Sequence, residues 1–369
     1  MPHDQVDLRN ITLQPLASRK SKWGVEDVRY DLSAPPPDPG SNAGAIDRMV
    51  ERIRKAREAG AAVILAYGAH LIKNGLGPMV TRLMEENWIT HLATNGAGTI
   101  HDWEYAFCGR SEEDVRVNVA RGCFGTWDET GRSINLAVLA GACQGMGYGE
   151  SLGSFIWRDG CELPRLSELR AALTDWCEHL RDDQRAPAQA ELLNGMIRFG
   201  LEPGWQPVEH AHKEFSLTAN AFRLKIPLTV HPGIGYDIFS NHPMANGAAI
   251  GRGADLDYRI FVRAVTGLED GVFISVGSAI MAPQVFEKAL SLANNLRLQE
   301  DRESLKPFIA VNDLAEVSWD WSQGEPPKDN PAYYVRFCKT FSRMGGEMVY
   351  AGCDNRTFLH NVWSRLEQS

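Results

Sequence analysis

The sequence predicts an α/β fold: a Rossmann-like, largely parallel sheet with helices on both faces. Three observations carry that expectation. Short apolar or β-branched runs recur along the chain, at "AAVILAY" (61–67), "WITHLAT" (88–94), "IPLTV" (226–230), "GVFISV" (271–276), "PFIAV" (307–311) and "EMVYA" (347–351). Such runs suit strands buried on both faces. The first two flank "GPMVTRLMEEN" (77–87), which has helical spacing and Pro78 in its first turn. Strand, helix and strand therefore follow one another as in a βαβ unit. Finally, glycine stands close behind several of the runs, where an open parallel sheet leaves its ligand crevice.

In chain order, residues 1–41 are irregular and lead into "APPPDPGSN" (34–42), which cannot be helix interior. They read as an N-terminal arm or linker, leaving residues 42–369 as a single α/β domain. Ile46, Met49, Val50, Ile53 and Ala56 recur at helical spacing, and Gly60 stands where that helix stops. Around residues 132–222 the chain is mostly helical in pattern, with "RLSELRAALTDWCEHLRDD" (165–183) the clearest case. This stretch reads as a mainly helical insertion in the domain.

The composition is ordinary for a globular protein, at 44% hydrophobic and 23% charged residues. A net charge of −9 argues against a nucleic-acid partner, which would want a basic face. Seven cysteines with no CxxC pair signal neither a disulfide framework nor a zinc site. The opening "MPHDQVDLRN" lacks a basic-then-apolar leader, and no apolar run approaches the roughly 18 residues of a membrane span. The expectation is a cytoplasmic protein with reduced thiols and no membrane partner.

Chemistry is sought at the turns after the strands: "GAHLIKNGLG" (68–77), "NGAGTIHD" (95–102), "HPGIGYD" (231–237), "GSAIMAP" (277–283), "NDLAE" (312–316) and "GCDNR" (352–356). Neither GxGxxG nor GxxxxGK[ST] occurs, so the usual phosphate-binding fingerprints are missing. His101 and Asp102 stand at the mouth of the second turn, with Glu104 nearby. They could serve proton transfer or hold an amine; equally, Asp102 could cap a helix. His70 and Lys73 in the first turn, and His231 and Asp237 in the third, carry the same two readings. A metal site from His70, His101, His231 and Asp102 lacks ligand spacing, and no metal is expected.

The succession "GAHLIKNGLGPMVTRLMEENWITHLATNGAGTIHDWE" resembles the NAD-binding region of the deoxyhypusine synthase family. Residues 82–104 also resemble the LOR/SDH-type ornithine cyclodeaminases, sharing their His-Asp-x-Glu string. The synthase likeness continues through "IPLTVHPGIGYD", "GVFISVGSAIM", "FIAVNDLAE" and "MVYAGCDNRTF". In "NPAYYVRFCKTF", Lys339 matches the spacing of the family's covalent lysine, whereas Tyr333 replaces an acidic residue six positions before it. The family's Asp-rich amine loop is replaced by "VSWDWSQGEPPKDN".

The resemblance implies NAD as cofactor, held by Gly68, His70, Asn74, Thr94, Asn95, Gly96, Gly98, Gly277, Ser278, Asn312 and Asp354. It implies an amine substrate held by His231, Asp237, Asp320 and Trp321, with Lys339, His101 and Asp102 catalytic. In the synthase-like version, an aminoalkyl group passes from a polyamine-like donor through an imine on Lys339. A cyclodeaminase-like reaction would instead oxidise an amino acid and rest on His101 and Asp102. A third reading is a non-catalytic NAD-binding or assembly protein. The resemblance further implies a homotetramer with active sites at subunit interfaces.

Overall fold

The computed structural model describes residues 3–179 and 185–368. Each of the six apolar runs contains a strand: β1 (Val63–Tyr67), β2 (His91–Thr94), β3 (Leu228–Val230), β4 (Val272–Val276), β5 (Phe308–Asp313) and β6 (Met348–Gly352). They pair in parallel in the order β3-β2-β1-β4-β5-β6. This is the doubly wound Rossmann order, in which the direction of winding reverses between β1 and β4. Tyr67 at the end of β1 lies opposite both Thr94 and Val276, so the carboxyl ends are level at the reversal.

The apolar runs are continuous because both faces are covered. Val63, Leu65 and Tyr67 join one buried cluster, while Ile64 and Ala66 join another. The first cluster takes Ile46, Met49, Val50, Ile53 and Ala56 from α1 (Ala43–Ala59). Gly60 ends that helix at φ 64° and donates to Ala56 O, a left-handed cap that favours glycine. On the same face lie α2 (Gly77–Glu85) and α3 (Gly96–Cys108). The helical insertion follows as α4 (Asp128–Ala142), α5 (Tyr148–Arg158), α6 (Leu166–His179), α7 (Arg185–Phe199) and α8 (Leu217–Leu224). The opposite face is covered by α9 (Gly247–Val265) and α10 (Met281–Gln299), through Phe261, Val265, Phe286 and Leu290. The closing helix, α11 (Asn355–Glu367), returns to the first face.

Two features depart from the sequence reading. A small antiparallel pair, Gly160–Leu163 with Gly204–Pro207, interrupts the insertion. The segment "NGAGTIHD" is not a loop: Asn95 caps α3 by accepting from Gly98 N, and the chain is helical from Gly96 onward. Residues 180–183 of the expected 165–183 helix lie outside the described residues.

Residues 3–41 hold only short helical turns and one short strand, yet they pack. Leu16, Val25 and Val28 are buried, and Trp23–Gly24 pairs antiparallel with Arg110–Ser111 just beyond α3. Gln14 is tied by backbone hydrogen bonds to Thr126 and Asp128. This segment therefore contributes walls to the carboxyl edge of the sheet. Among the described residues, no helix is long and apolar enough to cross a membrane.

Candidate functional site

A crevice of about 850 Å³ opens at the winding reversal, where parallel α/β sheets hold ligands. His70, Lys73 and Asn74 line it after β1, Gly277 after β4, and Asp354 and Asn355 after β6. Beneath it the β1 and β4 turns touch: a Cβ on Gly68 would stand 2.1 Å from Gly277 O. Gly277 has φ 55°, and a Cβ there would lie 3.3 Å from Asn355 Nδ2. Asn355 is 6% exposed, opens α11, and makes no side-chain hydrogen bond among the described residues. It lies in the crevice wall, where its amide is open to the crevice. Asp354 caps α11, accepting from Arg356 N and Thr357 N.

A second cavity, of about 290 Å³, adjoins the crevice and is lined by Arg19, Lys73, His101, Glu104, Glu112 and Asp237 among others. Lys73 and Glu112 line both spaces and pair at 3.0 Å, so this ion pair forms a shared wall. Glu112 has φ 67°, a conformation uncommon outside glycine and enriched at functional sites. Apolar walls come from Ile100, Val115, Phe124 and Ile238.

Within this cavity, His101 Nδ1 lies 2.7 Å from Ser111 Oγ, and Ser111 Oγ donates to Glu104 Oε2 at 2.6 Å. Arg19 grips both Glu104 oxygens, at 2.6 and 2.8 Å. Burial pushes the His101 imidazole down to about 4, against the pull of the Glu104 carboxylate. Burial also pushes Asp237 up to about 6, opposed by hydrogen bonds from Gly233 N and Ala97 N. Gly96 makes room for that carboxylate at the amino end of α3, since a Cβ there would stand 2.2 Å from Asp237 Oδ2.

The other sequence candidates fall in several places. Asp102 is 1% exposed and accepts from Ser216 Oγ, Leu217 N and Thr218 N, so it caps α8 and faces neither cavity. It is also past the first turn of its own helix, so the carboxylate serves the amino end of α8 rather than that of α3. Thr94 is fully buried and donates to Tyr67 O. Gly98 is small because a Cβ would meet Thr94 Oγ1 at 2.2 Å. Thr94, Gly96 and Gly98 thus pack protein against protein, and none lines the crevice, nor does the capping Asn95. Ser278 Oγ accepts from Ala282 N in the first turn of α10. Asn312 Nδ2 bridges Ala351 O and Cys353 O, while its Oδ1 is buried without a partner among the described residues. The His231 ring stands edge-on to Phe261 and Tyr258, in neither cavity.

Asp320 and Trp321 line a separate hollow along β6, with Asp320 capping its own short turn. Lys339 lies on Arg336–Ser342, with Nζ 3.7 Å from the Tyr333 ring centroid, in neither cavity. Tyr333, the departure from the family pattern, is thus the residue on which the lysine rests. A single chain does not gather Lys339, Asp320, Trp321 and Asp237 into one site.

Sequence reasoning missed Arg19, Ser111, Glu112 and Asn355. It also took a GxSxG nucleophile elbow to be absent, which is incorrect: Gly149-Glu150-Ser151-Leu152-Gly153 has that spacing. Ser151 is inside α5, 3% exposed and bonded to Gly147 O, so the spacing serves packing here. The described residues contain no group of three or more His, Cys, Asp or Glu side chains fit to hold a metal.

No protein-family model matches the chain, and no curated protein matches its sequence. Similar solved structures include AgrE in ternary complex with ornithine and NAD+, at 16% identity and TM-score 0.44, over 88% of this chain and 33% of that one. The chain thus spans about a third of the AgrE length. A LOR/SDH protein from Methanococcus maripaludis S2 matches at 14% identity and TM-score 0.43, over 91% of this chain and 74% of that one. A deoxyhypusine synthase-like protein from Entamoeba histolytica matches at 12% identity and TM-score 0.38, over 89% and 87%. Both families that the motifs resemble are represented among these structures.

Proposed function

We propose that the protein is an NAD-dependent enzyme that oxidises a small amine or amino acid. The observation that carries this reading is the wall shared through Lys73 and Glu112: a ligand crevice at the winding reversal adjoins a cavity containing a half-buried histidine. Asn355 and the Gly68–Gly277 floor suit close approach of a dinucleotide, whose nicotinamide supplies the hydride acceptor when bound. Asp237 and Glu112 suit a substrate ammonium, and Lys73 suits a carboxylate. His101 faces the substrate. The cavity's volume of about 290 Å³ favours a small molecule over a protein side chain with its backbone.

Transfer of an aminoalkyl group through Lys339 has no support within one chain, because that lysine lies in neither cavity. The amino-acid-oxidising reading is favoured for that reason. The test is calorimetric titration with NAD, followed by a scan of polyamines and basic amino acids for absorbance of the reduced nicotinamide. Binding is expected in wild type and lost in Gly68→Val, whose side chain collides with Gly277 O. Reduction by an amine is expected to follow. Absence of NAD binding to folded wild-type protein would overturn the cofactor assignment.

A further inference from the structure

The ring nitrogens of His101 have unequal surroundings. Nδ1 contacts Ser111 Oγ at 2.7 Å, whereas Nε2 has no hydrogen bond among the described residues, in a side chain that lines the smaller cavity. The proton positions follow from the far end of the chain of contacts. Glu104 is bound through both oxygens by Arg19, and both side chains are 1% exposed, so the carboxylate stays ionised and only accepts. Ser111 therefore spends its single hydroxyl proton on Glu104 Oε2, at 2.6 Å. Its oxygen is left to accept, and Nδ1 must donate. A second hydroxyl, Thr130 Oγ1, donates to Glu104 Oε1 at 3.1 Å and completes the carboxylate's shell.

We infer that His101 is the proton acceptor of the smaller cavity, and that Ser111 and Glu104 are positioning residues that hold Nδ1 protonated and Nε2 bare. The inference rests on the reading of this cavity as the substrate site of an amine-oxidising enzyme. In the step, the carbon next to the substrate nitrogen would give a hydride, with its two electrons, to a nicotinamide held in the crevice. As positive charge builds on that nitrogen, one of its N–H bonds would break and its proton would form Nε2–H, leaving an iminium and an imidazolium. Glu104 and Glu112 stabilise the imidazolium, while Lys73 and Arg19 oppose it. The relay thus fixes which nitrogen reacts and tethers it to the N-terminal segment through Arg19.

The tautomer can be read without knowing the substrate. Protein carrying ring-15N histidine is examined by long-range 1H–15N correlation, and the His101 signals are identified by their loss in His101→Gln. In wild type at neutral pH, the expected pattern is protonated Nδ1 and bare Nε2. Ser111→Ala is expected to move the ring towards the Nε2-protonated form, and Ser111→Thr to restore the original pattern. With any amine that reduces NAD, Ser111→Ala is expected to lower kcat about tenfold, with KM nearly unchanged. A wild-type ring protonated at Nε2 would overturn the inference, as would a Ser111→Ala ring that keeps its tautomer. If Ser111→Ala does not fold, the wild-type and Ser111→Thr spectra decide. NAD titration of the same wild-type sample separates the two assignments: loss of NAD binding with the expected tautomer refutes the cofactor and leaves the relay.

Discussion

Arg19→Met isolates the charge that holds the relay together. The replacement keeps an unbranched stem and removes the guanidinium, leaving Glu104 ionised in a setting 1% exposed, with only the Ser111 and Thr130 hydroxyls as donors. Breaking a buried pair from one side costs about 3–5 kcal/mol, because the remaining charge loses its compensation. Arg48→Met supplies the contrast: its pair with Glu347 is 38% exposed on both sides, and solvent already screens it. A much smaller loss is expected there. Replacing both buried partners, as Arg19→Met with Glu104→Leu, removes the stranded charge and is expected to recover much of the single-variant loss. Urea unfolding midpoints at constant slope measure all three. An Arg19→Met variant no less stable than Arg48→Met would refute the claim that this pair pins the N-terminal segment to α3.

Two further predictions follow from individual side chains. Asp257 is 1% exposed and accepts from Val230 N and Gly149 N, and burial pushes its carboxyl from 3.8 up to about 7. Its folded form therefore holds a proton that the unfolded chain releases, so stability should fall as pH rises from about 4 to about 7 and then level; Asp257→Asn should flatten that slope in thermal unfolding measured across the range. Lys339→Ala should leave NAD binding and amine-dependent NAD reduction within about twofold of wild type, an effect of under ~0.5 kcal/mol; abolished turnover would restore the lysine-imine route.

The sheet was legible because its strands are buried on both faces, which forces unbroken apolar runs such as 61–67 and 271–276. Cavity walls were only partly legible. Gly68, His70, Asn74, Gly277 and Asp354 lie at the crevice or its floor because short turns leave little freedom after a strand end. Gly96 and Gly98 carry the same local signal for another reason: their missing side chains admit Asp237 and Thr94. That distinction depends on contacts 141 and 4 residues away in the chain, and only the shorter is visible in a local pattern. Arg19 gives no periodic signal at all, since it acts from an irregular segment on Glu104, which is 85 residues distant. Asp102 looked chemical because it adjoins His101, yet neighbouring residues on a helix point in different directions. One turns to the cavity and the other to the α8 amino end.

The outer edge of β3 has a consequence for assembly. Val230 N is taken by the Asp257 carboxylate, and the α5 backbone at Gly149 lies so close that a Cβ would stand 1.9 Å from Leu228 O. A neighbouring chain that tried to extend the sheet at this margin would find the Val230 N–H taken and the α5 backbone packed against Leu228. A seventh strand shared across β3 would have to displace both.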